Sequence, residues 1–333
     1  MYTEHPFAEF VRILGKGKNG SRSLTIDESY KAMRMILANE VMPEQLGAFL
    51  MLLRVKEESP EEIAGFVKAV KESLTIPDNM PHINLDWSSY AGKKRQLPWY
   101  ILATLLLAEN GFTTFIHGAS GHTPGRIYTK DILELFNLSS CKTMNDVKES
   151  INTHNIAYMD VEYLSPLMHK IIELRPLLGL RSPVHTVSRM IDPFEADYVI
   201  QGIFHPGYRP IHQEAALLLG MKHVAVVKGD GGEIERNPDM KCLVQSVENG
   251  VMHDDEWDPM FAKRHMRDDE MDINRLPALW NGYIEDEYGE AAVTGSVAIA
   301  LVLMEKADSH EEAESMALTM WQGRNKNKFG SAA

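Results

Sequence analysis

Apolar residues recur every three or four positions along the N-terminal part of the chain, a spacing that places them on one face of a helix. Phe7, Phe10 and Leu14 share such a face, and Ser59–Glu62 supplies an N-cap serine, a first-turn proline and a glutamate at the third helical position. The pattern predicts four short helices that pack together. We therefore expect a small N-terminal helical domain over residues 1–78, with an apolar edge suited to joining a second copy of the chain.

The pattern changes in the remainder of the chain, where short apolar runs alternate with amphipathic stretches. Thr113–Ile116 and Tyr198–Ile203 are typical of buried strands, and the intervening segments predict helices that include Thr129–Leu138 and Pro166–Leu178. Such alternation favours a mostly parallel sheet covered by helices, with ligands bound beyond the carboxyl ends of the strands. Residues 79–333 are therefore predicted to form a larger α/β domain.

A glycine-rich loop follows the strand Thr113–Ile116 and carries the clearest binding signal in the chain. A strand, a glycine-rich loop and a helix in this order turn backbone N–H groups toward an anion, and Arg126 adds a guanidinium that suits phosphate. The candidate anion or phosphate ligands are His117, Gly118, Ser120, Gly121, His122, Thr123 and Arg126. The alternative is a structural turn in which the glycines serve only the backbone geometry. No catalytic residue is assigned.

Basic residues lie on both sides of this loop and recur further along the chain. Lys93-Lys94-Arg95 stands at a predicted loop-to-helix junction and is flanked by aromatic residues suited to stacking on bases, although a solvated turn is the alternative. The candidate contacts to nucleic acid are Lys93, Lys94, Arg95, Arg126, Lys130, Lys170, Arg175, Arg181, Arg189 and Arg209. Sequence-independent binding would draw mainly on contacts of these residues with phosphates.

Composition limits these possibilities. The 333 residues include 34 basic and 47 acidic side chains, and the formal charge of −13 disfavours polyanion binding by the whole surface while allowing a local basic groove. No apolar run approaches the roughly 20 residues that span a bilayer, and the N-terminus lacks a signal-peptide pattern, so no membrane partner is expected. Two cysteines, Cys141 and Cys242, form neither a disulfide framework nor a metal site, which favours a cytoplasmic location.

Two segments of the chain resemble those of a known family. They are LDWSSYAGKKRQLPW, at Leu85–Trp99, and HGASGHTPGR, at His117–Arg126. With the order of the helical and α/β parts, they resemble the YbiB-like branch of the anthranilate phosphoribosyltransferase (TrpD) family over essentially the full length. The resemblance implies the glycosyltransferase family 3 fold, which pyrimidine nucleoside phosphorylases share. For this branch it also implies homodimers that bind DNA or RNA with little sequence preference.

The chain departs from the enzymes of this family at their substrate-binding loops. The glycine-rich loop that wraps a diphosphate in those enzymes corresponds to Asp86–Gly92 here, where Trp87 and Tyr90 are too bulky for close backbone approach to phosphate. The acidic pair that holds Mg²⁺ in the family falls near Gly232-Glu233, so Asp230 and Glu233 are the candidate metal ligands. We expect nucleic acid as the partner. The alternative is a phosphoribosyltransferase or nucleoside phosphorylase that takes a small phosphorylated ligand and, if active, uses Mg²⁺.

Overall fold

Four short helices pack against one another at the N-terminal end of the chain, in a computed structural model that describes residues 3–266 and 270–329. Their bounds are α1 Ala8–Gly15, α2 Ile26–Leu37, α3 Pro43–Lys56 and α4 Pro60–Ser73. Thr25 and Ser59 each form a capping box that fixes the start of α2 and α4. Edge-on contacts among Phe7, Phe49 and Phe66 fill the centre of the bundle. The predicted helical domain is therefore present.

An eight-stranded sheet follows the bundle. Its strands are β1 Leu85–Ser89, β2 Thr114–Gly118, β3 Ser140–Cys141, β4 Ile156–Asp160, β5 Tyr198–Ile203, β6 His223–Lys228, β7 Cys242–Glu248 and β8 Val251–Trp257. They are arranged in the order β3-β4-β2-β1-β5-β6-β7-β8. Strands β1 to β6 run parallel, whereas β7 and β8 are antiparallel to their neighbours. This topology confirms the predicted α/β class with a mostly parallel sheet.

Helices connect and cover the strands. They are α5 Tyr100–Glu109, α6 Met144–His154, α7 Val161–Leu164, α8 Pro166–Ile172, α9 Arg175–Leu178, α10 Val184–Val187, α11 Tyr208–Leu218, α12 Arg275–Asn281, α13 Glu287–Leu303 and α14 His310–Gly323. Two predicted helices differ from the structure. The helix predicted over 166–178 is divided into α8 and α9, because Pro176 has no N–H and its ring would clash with the carbonyl of Ile172 in a continuous helix. The segment 129–138 forms two short 3₁₀ turns, and Asn137 ends them with a left-handed backbone.

The sheet lies between apolar clusters on its two faces. Neighbouring residues of a strand point to opposite faces, and Val224 and Ala225 accordingly belong to different clusters. One face packs against α5, α13 and α14, and the other continues into the N-terminal bundle through α8, α10 and α11. The predicted boundary between residues 78 and 79 lies in the segment that joins α4 to β1, and we keep it as a proposal. Within the described residues, no helix combines the length and the apolar character that crossing a membrane requires.

Candidate functional site

Loops that leave β1, β2 and β6 meet beyond the carboxyl ends of the parallel strands. Lys93 and Ile127 form a backbone bridge between the first two loops. Arg126 joins all three, because its Nη1 donates to the carbonyl oxygens of Ala91 at 2.8 Å, Gly92 at 3.0 Å and Gly231 at 3.4 Å. The predicted anion loop therefore lies where ligands of such sheets bind, and one nitrogen of the Arg126 guanidinium already serves the backbone.

The backbone N–H groups at the end of β1 donate their hydrogen bonds to a carboxylate of the chain itself. Oε1 of Glu233 accepts the N–H groups of Ala91 at 2.6 Å and Gly92 at 2.5 Å, and the Glu233 side chain is fully buried. Oε2 of the same carboxylate is buried without a hydrogen-bond partner. These amides belong to the segment Asp86–Gly92, which the resemblance pairs with the diphosphate loop of the enzymes. A negative charge of the chain itself therefore occupies two backbone amides of that segment.

Lys93 is not a surface residue, contrary to its predicted role as a nucleic-acid contact. Its Nζ lies 2.5 Å from Oε1 of Glu235 and 3.7 Å from Oδ2 of Asp230, and the side chain is fully buried. Burial raises the pKa of Glu235, and the charge of Lys93 opposes that rise. The pair compensates two charges that would otherwise be desolvated. Lys94 and Arg95, in contrast, are exposed.

The aromatic residues near these lysines do not face solvent either. Tyr90, Trp99 and Tyr100 are all buried, so none of them offers a ring face to an incoming base. The hydroxyl of Tyr100 closes a buried ring of hydrogen bonds with Ser89 and Thr129. The stacking expected at this junction is therefore absent, because the strand and helix that flank it are core elements.

The two candidate metal ligands point to different partners. Asp230 faces Lys93, and Glu233 is engaged by the two backbone amides at the end of β1. Across residues 3–266 and 270–329, no three His, Cys, Asp or Glu side chains come close enough together to hold a metal ion. Asp230 and Glu233 therefore do not converge on one shared site in this arrangement.

Three of the predicted anion ligands are held inside the protein. His117 lies within β2, where its Nδ1 is 2.7 Å from the Tyr90 hydroxyl and its Nε2 is 3.0 Å from Oδ1 of Asp86. Gly118 is required by strand packing, since an added Cβ would come within 2.1 Å of the Ser89 carbonyl oxygen. The Ser120 hydroxyl donates to Asp160. Each of these three residues therefore has an internal partner, and the part of the loop left for an anion begins at Gly121.

Arginines surround the remaining part of the loop. We call Arg126, Arg175, Arg181 and Arg189 the arginine cluster. Nη1 of Arg175 donates to the His122 carbonyl oxygen at 2.7 Å and to Oγ1 of Thr123 at 2.5 Å, and Nη2 of Arg181 approaches the same hydroxyl at 3.4 Å. Among the described residues, no carboxylate lies within ion-pair distance of any member of the cluster. The cluster is therefore a concentration of positive charge without an internal counter-charge at that distance.

Hydrogen bonding fixes the proton positions around Thr123. Nε2 of His122 lies 2.8 Å from the Tyr90 carbonyl oxygen, which can only accept, so Nε2 carries the proton. Burial, together with the charges of Arg181, Arg189 and Arg175, lowers the pKa of His122 to about 4, so the ring is neutral at pH 7. Nδ1 of His122 therefore accepts from the Thr123 hydroxyl at 3.0 Å, and that hydroxyl in turn accepts from the arginines.

Charge repulsion within the cluster also changes the pKa of its members. Burial, together with repulsion from Arg189, Arg126 and Arg175, lowers the pKa of Arg181 to about 10. Such mutual repulsion means that a bound anion would stabilise the charged form of these side chains. Perturbed ionisable groups that converge on a loop are typical of functional sites.

The other predicted basic residues are spread around this site. Lys130 and Lys170 are exposed, the first just after the anion loop and the second on α8. Arg209, in α11, donates instead to the carbonyl oxygen of Leu243 in β7. The structure therefore brings Arg175 and Arg181 together at Thr123, places Arg126 and Arg189 close enough to Arg181 to lower its pKa, and leaves Arg209 outside the hydrogen bonds of this loop.

Sequence reasoning missed several residues of this region. The pairing of Glu235 with Lys93 gave no local signal, because the two residues are 142 positions apart. Ser182, His185 and Phe204 line a cavity beside the cluster. Only Phe204 carried a readable hint, as an aromatic residue directly after a predicted strand, in a loop closed by Pro206 and Gly207.

Comparison with known proteins agrees with this architecture. The description "Glycosyl transferase family, helical bundle domain" matches residues 9–74, and "Glycosyl transferase family, a/b domain" matches residues 102–323. An uncharacterized protein of Aquifex aeolicus (strain VF5) is 30% identical over 244 residues, 73% of each chain. The uncharacterized protein YbiB of Escherichia coli (strain K12) is 28% identical over 238 residues, 70% of this chain and 73% of that protein.

Solved structures of anthranilate phosphoribosyltransferases share the fold. The enzyme from Thermus thermophilus superposes with a TM-score of 0.79 at 22% identity, and the enzyme from Saccharomyces cerevisiae in complex with PRPP and Mg superposes with a TM-score of 0.76 at 16% identity. Both alignments cover 96% of this chain and 94% of the enzyme. The chain therefore belongs to the glycosyl transferase family of helical bundle and a/b domains, as a YbiB-like protein with the anthranilate phosphoribosyltransferase fold.

Proposed function

We propose that this protein binds nucleic acid, DNA or RNA, with little sequence preference, and that the arginine cluster holds the phosphates. The observation that carries the proposal is the meeting of Arg175 and Arg181 at Thr123, with Arg126 and Arg189 close enough to Arg181 to lower its pKa and with no carboxylate at ion-pair distance among the described residues. Contacts to phosphate are independent of base sequence and supply most of the affinity of non-specific binding.

The geometry leaves donors for a phosphate. A guanidinium carries five N–H donors, and the hydrogen bonds of Arg175 and Arg181 involve only Nη1 of the first and Nη2 of the second. The remaining N–H groups of either side chain suit the paired oxygens of a phosphate. Gly121, His122 and Thr123 supply the adjoining loop, and they are the part of the predicted anion site that supports this proposal.

Exposed basic residues extend the proposed surface beyond the cluster. Lys94, Arg95 and Lys130 lie on the loops that the Lys93–Ile127 bridge joins, and Lys170 precedes α9 by one turn. The remaining surface must be acidic on balance, because the chain carries a formal charge of −13. Long-range repulsion would therefore restrict a polyanion to this side of the protein.

We also propose that the protein acts as a homodimer in the cytoplasm. Large apolar side chains are exposed on α3 and around α9, among them Val55 and Leu177, each 82% exposed, and Leu180. Gly47 of α3 approaches Leu178, so the two helices are neighbours. A second copy packed on this surface would lie close to Arg175 and Arg181. The arginine clusters of the two subunits would then bind the same nucleic-acid strand.

Phosphoribosyl transfer with Mg²⁺ is the alternative function, and the site favours it less. The yeast enzyme of this fold has been solved with PRPP and Mg. In this chain the corresponding amides hold Glu233, and Asp230 faces Lys93. Turnover of phosphoribosyl pyrophosphate with anthranilate, measured with Mg²⁺ present, is the direct assay for this alternative.

Fluorescence anisotropy with labelled single- and double-stranded oligonucleotides over a range of salt tests the proposed function. The logarithm of the affinity should fall linearly with the logarithm of the salt concentration. The double variant Arg175→Gln/Arg181→Gln should lose about 10-fold or more in affinity and reduce the salt slope by about 2. Lys142→Gln/Lys306→Gln removes the same charge from exposed positions elsewhere and should bind as the wild type does. No binding of any oligonucleotide at low salt would overturn the proposal.

A further inference from the structure

One hydroxyl lies where two arginines of the cluster meet. Nη1 of Arg175 donates to Oγ1 of Thr123 at 2.5 Å, and Nη2 of Arg181 lies 3.4 Å from the same oxygen. A hydroxyl oxygen has two lone pairs, so it can accept from both guanidinium groups at once. Thr123 is therefore a shared acceptor for two positively charged side chains.

Charge repulsion acts against this arrangement. Arg175, Arg126 and Arg189 all repel Arg181, and this repulsion contributes to the lowered pKa of the Arg181 guanidinium. Among the described residues, no carboxylate lies at ion-pair distance to offset it. Like charges without a counter-charge favour conformations in which they lie further apart. The hydrogen bonds that Arg175 and Arg181 share at one oxygen oppose that separation.

The proton of the Thr123 hydroxyl points away from the arginines. Nδ1 of His122 lies 3.0 Å from Oγ1 of Thr123, and Nε2 of the same ring lies 2.8 Å from the carbonyl oxygen of Tyr90. Because that carbonyl oxygen can only accept, Nε2 carries the proton of the neutral ring, and Nδ1 accepts from the hydroxyl. The hydroxyl therefore presents its lone pairs, and not its proton, to Arg175 and Arg181.

The backbone around this hydroxyl is also held by hydrogen bonds. The N–H of Thr123 donates to the hydroxyl of Tyr128 at 3.0 Å, and the Tyr128 side chain is buried. Nη1 of Arg175 donates in addition to the carbonyl oxygen of His122 at 2.7 Å. The acceptor for the arginines is thus in place before a ligand arrives. Side chains that are ordered in advance lose less entropy when they bind.

We propose that Thr123 is a positioning residue of the anion site, whose hydroxyl holds Arg175 and Arg181 together so that both can contact one phosphate group. The inference rests on the proposed function and assigns a role within the same site. Thr123 carries no charge, so it acts through the two arginines and releases no counterion of its own. Loss of its hydroxyl should therefore lower the affinity for nucleic acid and leave the salt dependence unchanged.

Fluorescence anisotropy with one labelled oligonucleotide over a range of salt tests this role. Thr123→Val keeps the shape of the side chain without the hydroxyl, and it should lower the affinity roughly 5- to 10-fold at the wild-type salt slope. Thr123→Ser keeps the hydroxyl and should restore most of the affinity. Thr153→Val, the matched control, changes an exposed threonine of α6 and should bind as the wild type does.

A double-mutant cycle separates positioning from direct contact with the ligand. In the Arg175→Gln/Arg181→Gln background, Thr123→Val should have almost no further effect, because the charged groups that the hydroxyl positions are absent. The arginine variant should itself reduce the salt slope by about 2, which Thr123→Val alone should not do.

Three results would overturn the inference. Wild-type affinity of Thr123→Val excludes the role, and equal losses in Thr123→Val and Thr123→Ser show that the hydroxyl is not the cause. A loss that persists in full in the arginine background shows that Thr123 contacts the ligand directly. The failure of the proposed function gives a different result, because Arg175→Gln/Arg181→Gln would then bind every oligonucleotide as the wild type does.

Discussion

Glu233 and Gly92 are joined by a hydrogen bond of 2.5 Å from the Gly92 backbone N–H to Oε1 of the carboxylate, and the N–H of Ala91 reaches the same oxygen. Two adjacent amides that converge on one oxygen form the kind of nest that binds phosphate in other proteins. Here the chain supplies the anion itself. A phosphate could occupy these amides only after the Glu233 carboxylate had moved away.

Removal of that carboxylate should open an anion site. Glu233→Ala leaves two buried N–H groups without an acceptor, and we expect it to lower the free energy of unfolding by about 2–4 kcal/mol. Glu233→Gln keeps a carbonyl oxygen in place and should cost about 1 kcal/mol. Millimolar phosphate at constant ionic strength should restore stability to the alanine variant only. Denaturant unfolding measures both effects, and equal responses of all three proteins to phosphate would contradict this account.

Lys93 and Lys94 should differ sharply although they are adjacent. Lys93→Met leaves the Glu235 carboxylate buried and unpaired, so we expect a loss of about 3–5 kcal/mol in the free energy of unfolding. Lys94→Met changes an exposed residue and should stay within about 0.5 kcal/mol of the wild type. The double variant Lys93→Met/Glu235→Leu should recover most of the loss, because no uncompensated charge remains. Unequal oligonucleotide affinities of the folded Lys93→Met protein and the wild type would show that Lys93 also contacts the ligand.

These two lysines show how far a sequence can be interpreted. Apolar spacing and turn residues predicted the helical bundle, the mostly parallel sheet and the loop that carries Arg126, because each of these depends on neighbouring positions. Burial of Lys93 depends on Glu235, which the fold brings close from 142 positions away. Pro176, which divides α8 from α9, is visible in the sequence. The prediction of one continuous helix over Pro166–Leu178 did not allow for the hydrogen bond and the space that a proline removes.

The site was also predicted in outline, because its loop is a pattern of neighbouring positions. A glycine-rich loop after a strand indicated an anion site. Gly118, the glycine of β2, is instead required because a side chain there would clash with the carbonyl oxygen of Ser89. Arg175, Arg181 and Arg189 recur along one segment, which was readable, but the meeting of Arg175 and Arg181 at Thr123 depends on how that segment packs across the loop. No sequence pattern shows which polar atoms remain unpaired after folding, so the cavity at His185 was missed.

His212 should make stability depend on pH. It is buried with Nδ1 2.8 Å from Oε1 of Gln201, and burial, aided by the charge of Arg189, lowers its pKa to about 3. The unfolded chain takes up a proton near pH 6.5 and the folded protein does not, so stability is lost as the pH falls below that value. The wild type should lose about 1.4 kcal/mol per pH unit relative to His212→Gln between pH 6 and pH 4. Urea unfolding of both proteins measures this difference in the free energy of unfolding. Groups that titrate in both proteins contribute equally and cancel in the difference. A difference that does not change with pH would contradict the assignment.

The exposed apolar surface on α3 and around α9 should determine the oligomeric state. Val55 and Leu177 are each 82% exposed, and burial of two such side chains in each copy would stabilise a dimer by about 1.5–3 kcal/mol per residue. The double variant Val55→Asp/Leu177→Asp places charges in that interface and should give a folded monomer, as measured by light scattering after size-exclusion chromatography. Leu318→Asp, at a 40% exposed position on α14, is the matched control and should remain dimeric. If two clusters serve one strand, the monomer should also bind long oligonucleotides more weakly while keeping the wild-type affinity for short ones. A dimer that persists in the double variant would place the interface elsewhere.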